Sequence, residues 1–154
     1  MGYRSEVAYT IGFEDEHTMG LFINYVFSTN DEHMIQALKE CEVCFKELRI
    51  NFHAYDVKWY ESYDDVKGHT ALYALPNDES TQFYEKCDYK FIRVGEEQGD
   101  IDEEYSNNTG HTIDLHDGFY TVTSIEMPFS NNYTPYGDTL AKLTEQQPTK
   151  GETA

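Results

Sequence analysis

The sequence predicts a small α+β domain in which two to three helices pack on one face of a mostly antiparallel sheet. Segments with alternating apolar and polar residues, typical of half-buried strands, are separated by segments with apolar residues at helical spacing. Aromatic residues make up 15% of the 154 residues, which is enough apolar bulk for a core without disulfides. The predicted order is strand, one or two helices, strand, helix and two further strands, so we expect the helices to cover the apolar face of the sheet.

The first strand spans residues 3–13, where alternate positions from Val7 onward are apolar. A helix follows from about residue 14, because acidic residues favour the positive end of a helix and apolar residues then recur at helical spacing. Asp31 is an N-cap candidate for a second helical segment that runs to about residue 43. The pattern fits either two helices or one kinked helix.

A second alternating strand spans residues 47–57. We expect a short helix after it, with Asp64 as its N-cap and its end before Pro76. A third strand, at 88–96, carries bulky residues on both faces, which is typical of a strand in the interior of a sheet. Gly95 marks a bulge, a bend or the end of that strand.

The rest of the predicted domain is an acidic loop and a hairpin. The loop spans residues 96–110, and a short strand at 112–115 pairs with a longer strand at 119–127. The composition then becomes polar and loses its periodicity. We therefore expect a domain over residues 1–128 and a polar, extended tail over residues 129–154.

The formal charge of −18 arises from 29 acidic and 11 basic residues, and nearly all of it belongs to the predicted domain. This charge repels nucleic acid phosphates and anionic lipid, and it favours a partner protein with a basic surface. No apolar run approaches the about 20 residues that cross a membrane, and no secretory leader pattern is present. The odd number of three cysteines fits reduced thiols, so we expect a cytoplasmic protein. From the charge and the lack of an apolar span, we expect that it binds neither a membrane nor nucleic acid directly.

The acidic segment holds six carboxylates within nine residues and no basic residue. Its acidic residues are Glu96, Glu97, Asp100, Asp102, Glu103 and Glu104. A calcium loop that starts at Asp100 fails, because Tyr105 stands where glycine is required and His111 where glutamate is required. Three interpretations stay open: a looser divalent-metal site, a solvated charged loop, and a mimic of the nucleic acid backbone with alternate carboxylates about 6.5 to 7 Å apart.

An aromatic cluster at Trp59, Tyr60 and Tyr63 follows the second strand. Acidic residues outnumber basic ones around it, so a platform for stacking nucleic acid bases is not favoured. Trp and Tyr are common anchors of protein interfaces. We therefore predict that these three residues bind a partner protein together with the acidic segment, or pack in the core.

Other motifs point away from catalysis. Cys41 and Cys44 form a CxxC pair at the end of a predicted helix, where the thiol form is favoured, so structural thiols are the better interpretation. Residues 111–117 hold two His and two Asp, which are read as loop polarity rather than as a metal site. No catalytic triad, phosphate-binding loop or HExxH motif is present, so we predict no catalytic residue and no cofactor, and an enzyme is the less favoured class.

Three stretches together carry a resemblance to a known family. They are the start at residues 1–8 (MGYRSEVA), the KWYxxYxDV pattern at residues 58–66, and FIRVGE at residues 91–96 followed by DIDEE at residues 100–104. With these the chain resembles a family of small uncharacterised proteins from tailed bacteriophages and prophages, over about residues 1–127. The resemblance implies a phage origin and a small α+β fold, and it transfers no catalytic residue.

The favoured function is a phage accessory protein that binds a host protein through its acidic surface. Such a protein would act as an inhibitor or DNA mimic during host takeover. The preferred target is a host protein that binds nucleic acid, and the expected location is the host cytoplasm. One alternative is a divalent-metal-dependent enzyme or small-ligand module that uses the carboxylates of residues 96–104. Another is a virion or assembly component.

Overall fold

A computed structural model describes residues 2–109 and a two-residue strand at 134–135, and these form an antiparallel sheet covered by helices. The sheet order is β5-β4-β1-β3-β2-β6, with β1 in its interior. The strands are β1 (Ser5–Phe13), β2 (Glu42–Cys44), β3 (Arg49–Val57), β4 (Cys87–Gly95), β5 (Ile101–Tyr105) and β6 (Thr134–Pro135). The helices are α1 (Glu16–Ser28), α2 (Glu32–Lys39) and α3 (Asp64–Ala74), and α3 continues into a 3-10 turn at Leu75–Asn77. The predicted α+β class is confirmed.

The core lies between the sheet and the three helices. Tyr9 in β1 is fully buried and lies opposite Phe52 of β3 on one side and Phe91 of β4 on the other. Met19 and Leu38 bring α1 and α2 into the same cluster, and residues of α3 join it as well. The helices therefore cover one face of the sheet, as the alternation in the first strand predicts.

Local signals explain the helix boundaries in part. The side chains of Asp15 and Asp31 accept hydrogen bonds from backbone amides in the first turns of α1 and α2, as expected for N-caps. The two helices are separate, because Asn30 between them adopts a left-handed conformation with φ of 57°. The N-cap of α3 is Tyr63 and makes no side-chain cap bond, so the prediction of Asp64 as cap is wrong by one residue. Asp64 instead stands in the first turn, where its charge complements the helix dipole.

Two predicted boundaries are wrong because strand pairing overrides local pattern. The second helix ends at Lys39, not near Val43, and residues Glu42–Cys44 pair with β3 instead. The predicted acidic loop contains the strand β5, which pairs with β4 along its whole length. Four of its five residues are exposed, so no alternation of apolar and polar residues marks the strand. By contrast, β4 is confirmed as an interior strand that ends at Gly95.

Several predictions fall on residues that are not described. The strands at 112–115 and 119–127, the segment 111–117, the domain boundary at 128 and the tail at 129–154, apart from the strand Thr134–Pro135, lie outside the described residues. Within residues 2–109 and 134–135, no helix has the length and apolar character needed to cross a bilayer.

Candidate functional site

A cleft of about 900 Å³ lies between α3 and the edge strand β5. Helix α3 packs on β1 and β4, so no helix of the described part of the chain covers the face of β5 beside it. One wall of the cleft is a single face of α3, formed by residues that recur at intervals of three or four positions. This face consists of Lys67, Thr70, Ala71 and Ala74.

The opposite wall carries alternate carboxylates of β5. Asp102 lies opposite Arg93 of β4, and Glu104 lies opposite Phe91. Because side chains on one strand alternate between the two faces, Asp102 and Glu104 share the face on which the helices pack. Both of them line the cleft, and Asp100 lines it where the turn enters β5.

The apolar part of the cleft is aromatic. The ring of Tyr73 stacks on Phe91 with ring centroids 4.8 Å apart, and the ring centroids of Trp59 and Phe91 are 6.2 Å apart. The ring centroids of Trp59 and Phe52 are 6.1 Å apart, and this contact ties Trp59 to the core. The cleft thus joins a fixed aromatic surface to a row of carboxylates, and this combination suits a ligand that is both cationic and apolar.

Arg93 holds two of the carboxylates. Its Nη2 lies 2.7 Å from Oδ1 of Asp100 and 2.7 Å from Oδ2 of Asp102, and its Nε donates to the same Asp102 oxygen at 2.8 Å. The hydrogen bond from Arg93 is the main cause that lowers the pKa of Asp100, and the Tyr3 hydroxyl adds to it. The acidic segment is therefore not a row of free charges, because one guanidinium compensates two of them.

The amino-terminal residues close one end of the cleft. The Tyr3 hydroxyl donates to Asp100 at 2.6 Å and accepts from the backbone amide of Glu97 at 3.0 Å. The backbone amide of Tyr3 donates to the hydroxyl of Tyr60 at 2.7 Å. The bond to Asp100 is the main cause that raises the pKa of Tyr3. A Cβ on Gly95 would collide with the Asp100 carboxylate and the Tyr3 hydroxyl, so glycine makes this arrangement possible.

The structure brings together five of the nine residues predicted as a partner-binding surface. Trp59, Tyr60, Asp100, Asp102 and Glu104 all line the cleft, although they come from two segments about 40 residues apart.

The other four predicted residues lie elsewhere. Tyr63 packs edge-on against Tyr60 with ring centroids 5.2 Å apart, and it does not line the cleft. Glu103 points to the opposite face, where its carboxylate lies 3.9 Å from the ammonium of Lys90. Glu96 and Glu97 are exposed in the turn between β4 and β5.

Sequence reasoning missed the contribution of α3 and its preceding turn. Glu61, Lys67 and Thr70 line the cleft, but each is polar and reads as part of a solvated surface. Tyr73 is buried and reads as core. The available signal was the four-residue face of α3, whose small and polar members leave room for a cleft beside the aromatic rings.

Metal and thiol chemistry find little support within residues 2–109. No group of three or more His, Cys, Asp or Glu side chains is placed there to hold a metal ion. Cys41, Cys44 and Cys87 are all buried and unpaired, and burial raises the pKa of Cys41 to about 12. Cys41 follows α2 and Cys44 ends β2, so the pair does not sit in a helix terminus as predicted.

Apart from the cleft, the structure contains a hydrogen-bonded chain of Tyr9, His69 and Glu40 that the sequence did not predict. The Tyr9 hydroxyl lies 2.6 Å from Nδ1 of His69, whose Nε2 lies 2.9 Å from Oε1 of Glu40. Because a carboxylate only accepts, Nε2 carries the proton, and in the neutral ring Nδ1 then accepts from the Tyr9 hydroxyl. Burial is the main cause that lowers the pKa of His69, against the opposing effect of Glu40. Tyr9 and His69 are buried, and this chain of bonds ties β1 and α3 to Glu40 at the end of α2.

These features define an α+β domain in which the described helices leave the outermost strand β5 uncovered, with an aromatic and acidic cleft beside that strand. Comparison with known protein families, with curated proteins and with solved structures finds no match to this chain. The resemblance to a phage family therefore stays a prediction.

Proposed function

We propose that this chain is a protein-binding accessory protein of a bacteriophage, and that it captures a basic segment of a host protein in the cleft between α3 and β5. The observation that carries the proposal is that aromatic rings and alternate carboxylates line one cavity. The phage origin rests on the resemblance described above.

Charge favours a cationic ligand. Four carboxylates line the cleft, from Glu61, Asp100, Asp102 and Glu104, against the two cations of Lys67 and Arg93, which leaves a formal charge of −2. The whole chain carries −18, so the long-range field adds to the local one. A phosphate-bearing ligand meets repulsion from both, whereas a Lys- or Arg-rich segment is attracted and steered toward the cleft.

The aromatic surface favours side chains with long apolar stems. Lysine and arginine bury their methylene groups while keeping the charged end near a carboxylate. A cation over the face of Trp or Tyr gains about 0.5 to 2 kcal/mol, depending on how far it is desolvated. The volume of about 900 Å³ is large for one side chain and matches a segment of several residues.

The proposed host target is the one predicted from the sequence, but the proposed binding surface is now only the cleft between α3 and β5. Nucleic-acid-binding proteins carry clustered Lys and Arg that neutralise phosphates. Asp102 and Glu104 stand two residues apart on β5, and their α-carbons are therefore about 6.5 to 7 Å apart. These carboxylates take the part of the phosphates, with Arg93 limiting their net charge.

The only tryptophan of the chain, Trp59, provides a direct assay because it lines the cleft. Titration with a lysine-rich peptide at low salt is expected to change its emission saturably, and added salt is expected to weaken the binding. Glu104→Gln removes a carboxylate inside the cleft, and Glu103→Gln removes its neighbour on the opposite face. Each loses one charge, so the pair separates local contact from overall attraction.

We expect Glu104→Gln to weaken binding by about fivefold, the equivalent of about 1 kcal/mol, and Glu103→Gln by clearly less. Equal effects of the two substitutions, or equally tight binding of an uncharged peptide, would remove the cleft from the proposal. In a bacterial lysate at low salt, the tagged wild-type chain is expected to retain a basic host protein that Glu104→Gln retains less. Retention of no basic protein would overturn the assignment of a host target.

A further inference from the structure

We propose that the basic segment binds as an added strand along the outer edge of β5, with alternate basic side chains pointing into the cleft. This inference rests on the proposed function and states how the ligand is held. The relevant feature is the backbone of β5 rather than its acidic side chains.

Among the described strands β5 is the outermost on its side of the sheet, and within residues 2–109 its backbone pairs only with β4. Residues Asp102 to Tyr105 are exposed, and Tyr105 is 69% exposed. A bare edge of this kind offers unpaired amides and carbonyls to another extended chain.

The hydrogen bonds on either side of β5 show which backbone groups are free. The amide of Gly95 donates to the carbonyl of Asp100 at 2.8 Å, and the amide of Ser106 donates to the carbonyl of Tyr89 at 3.0 Å. Hydrogen-bonded and non-hydrogen-bonded pairs alternate along an antiparallel ladder. It follows that Asp102 and Glu104 direct their backbone groups toward β4.

The intervening residues direct their backbone groups outward. Ile101 already donates its amide to the carbonyl of Gly99 at 3.0 Å. Among residues 2–109, the outward amides of β5 that have no backbone partner are therefore those of Glu103 and Tyr105, and they set the register of an added strand.

This register places the side chains of the added strand. Residues opposite Asp102 and Glu104 lie on the same face as those two carboxylates, and so they point into the cleft. Residues between them point to the other face, beside Glu103. The ligand is thus an extended segment with Lys or Arg at every second position and no proline among the bonded residues.

The charge of the edge decides between a foreign strand and a second copy of this chain. Two β5 strands side by side would bring three carboxylates of each into one small area, and like charges opposite each other destabilise a strand pair. Exposed charges of this kind normally keep edges from associating with themselves. Here the same charges attract a basic strand, so the edge excludes its own copy and accepts the proposed ligand.

Two peptides of identical composition test the inference by Trp59 fluorescence. In one, lysine alternates with threonine, and in the other all lysines precede all threonines. Strand addition predicts that the alternating peptide binds about tenfold more tightly, the equivalent of one or two lost hydrogen bonds and ion pairs. N-methylation of the lysine amides and of the threonine amides, in separate peptides, is expected to abolish binding for one set and spare the other.

The protein provides a matched pair of variants. Tyr105→Pro removes an outward amide without touching the β4–β5 ladder, and Tyr105→Ala removes the same side chain but keeps the amide. We expect only Tyr105→Pro to lose the preference for the alternating peptide, with circular dichroism confirming its fold. The methylated peptides give the same answer on the wild-type chain if that variant fails to fold.

Equal binding of the two peptides together with indifference to the position of methylation would overturn strand addition, while capture of a basic segment would stand. Failure of every lysine-bearing peptide to change Trp59 emission or to compete in a pull-down would overturn both proposals.

Discussion

The Tyr3 hydroxyl donates a hydrogen bond of 2.6 Å to Oδ2 of Asp100, joining residues that are 97 positions apart. Arg93 reaches the other oxygen of the same carboxylate at 2.7 Å. One carboxylate thus ties the amino terminus to the interior strand β4 and to the turn before β5. The end of the cleft is held in place by this carboxylate.

Gly95→Ala is expected to lower the free energy of unfolding by about 1 to 3 kcal/mol, because the added methyl collides with the Asp100 carboxylate and the Tyr3 hydroxyl. Gly20→Ala is the matched control, since Gly20 lies in α1 with no atom near its would-be Cβ. That change is expected to stabilise by about 0.5 to 1 kcal/mol. Urea unfolding of the three proteins measures both effects. Equal stability of Gly95→Ala and wild type would contradict the close approach at Gly95.

Arg93→Gln is expected to reduce the loss in the free energy of unfolding that occurs as the pH falls from 5 to 3. The pKa of Asp100 in the folded chain lies below its ordinary 3.8, so the unfolded chain takes up its proton first as the pH falls. The stabilisation is complete above about pH 4 and is lost as the pH falls through the folded pKa. Urea unfolding at pH 5 and pH 3 should show a smaller loss in the variant.

Arg4→Gln serves as the control for Arg93→Gln, because Arg4 faces the largely exposed Asp56 at 3.9 Å. An isolated surface pair of this kind contributes about 0 to 1 kcal/mol. Its profile between pH 5 and pH 3 is expected to match that of the wild type. If both arginine variants change the profile alike, the link between Arg93 and Asp100 is not its cause.

His69→Gln is expected to reduce the drop in the free energy of unfolding between pH 7.5 and pH 5.5. Burial lowers the pKa of His69 below its ordinary 6.5, so the unfolded chain binds the proton more readily. The contribution of His69 to the free energy of unfolding is therefore fully present above about pH 6.5. It decreases as the pH falls below that value, by at most about 1.4 kcal/mol per pH unit. Unfolding at pH 7.5 and 5.5 in both proteins tests this. An unchanged difference between the two pH values would show that His69 is not the group responsible.

The three cysteines are expected to resist a thiol reagent in the folded chain and to react fully in denaturant. Cys41, Cys44 and Cys87 are buried, and burial raises the pKa of Cys41 and Cys87 so that little thiolate forms. Reaction with Ellman's reagent at pH 8, with and without urea, counts the accessible thiols. A thiol that reacts rapidly in the native protein would reopen a reactive role for the CxxC pair.

Divalent metal ions are expected to leave the melting temperature at the value of a control matched in ionic strength. Arg93 already lies between Asp100 and Asp102, and a guanidinium there opposes a second cation. A thermal-shift series with Ca²⁺, Mg²⁺ and Mn²⁺ checks this. A specific rise with one of these ions would favour the metal-dependent alternative instead.

The segments that alternate or repeat at helical spacing were predictable. The buried face of β1, the cap at Asp31 and the interior place of β4 follow from patterns of apolar and charged residues over a few positions. The helical spacing of apolar residues predicts a helix that runs to about Val43, but Val43 lies in β2. Pairing of β2 with β3 overrides that spacing, and such pairing leaves no local mark.

The α+β class, the acidity of the chain and the residue types of the site follow from the amino-acid sequence. Trp59, Tyr60, Asp102 and Glu104 were each identifiable, but only as two separate segments. Their meeting depends on the register of β4 with β5 and on the placement of α3 over β1 and β4 beside the uncovered β5. These are contacts between distant parts of the chain, set by packing of the whole core, and they also place Arg93 among the carboxylates. Only the tertiary structure therefore turned an acidic segment into one wall of a cleft.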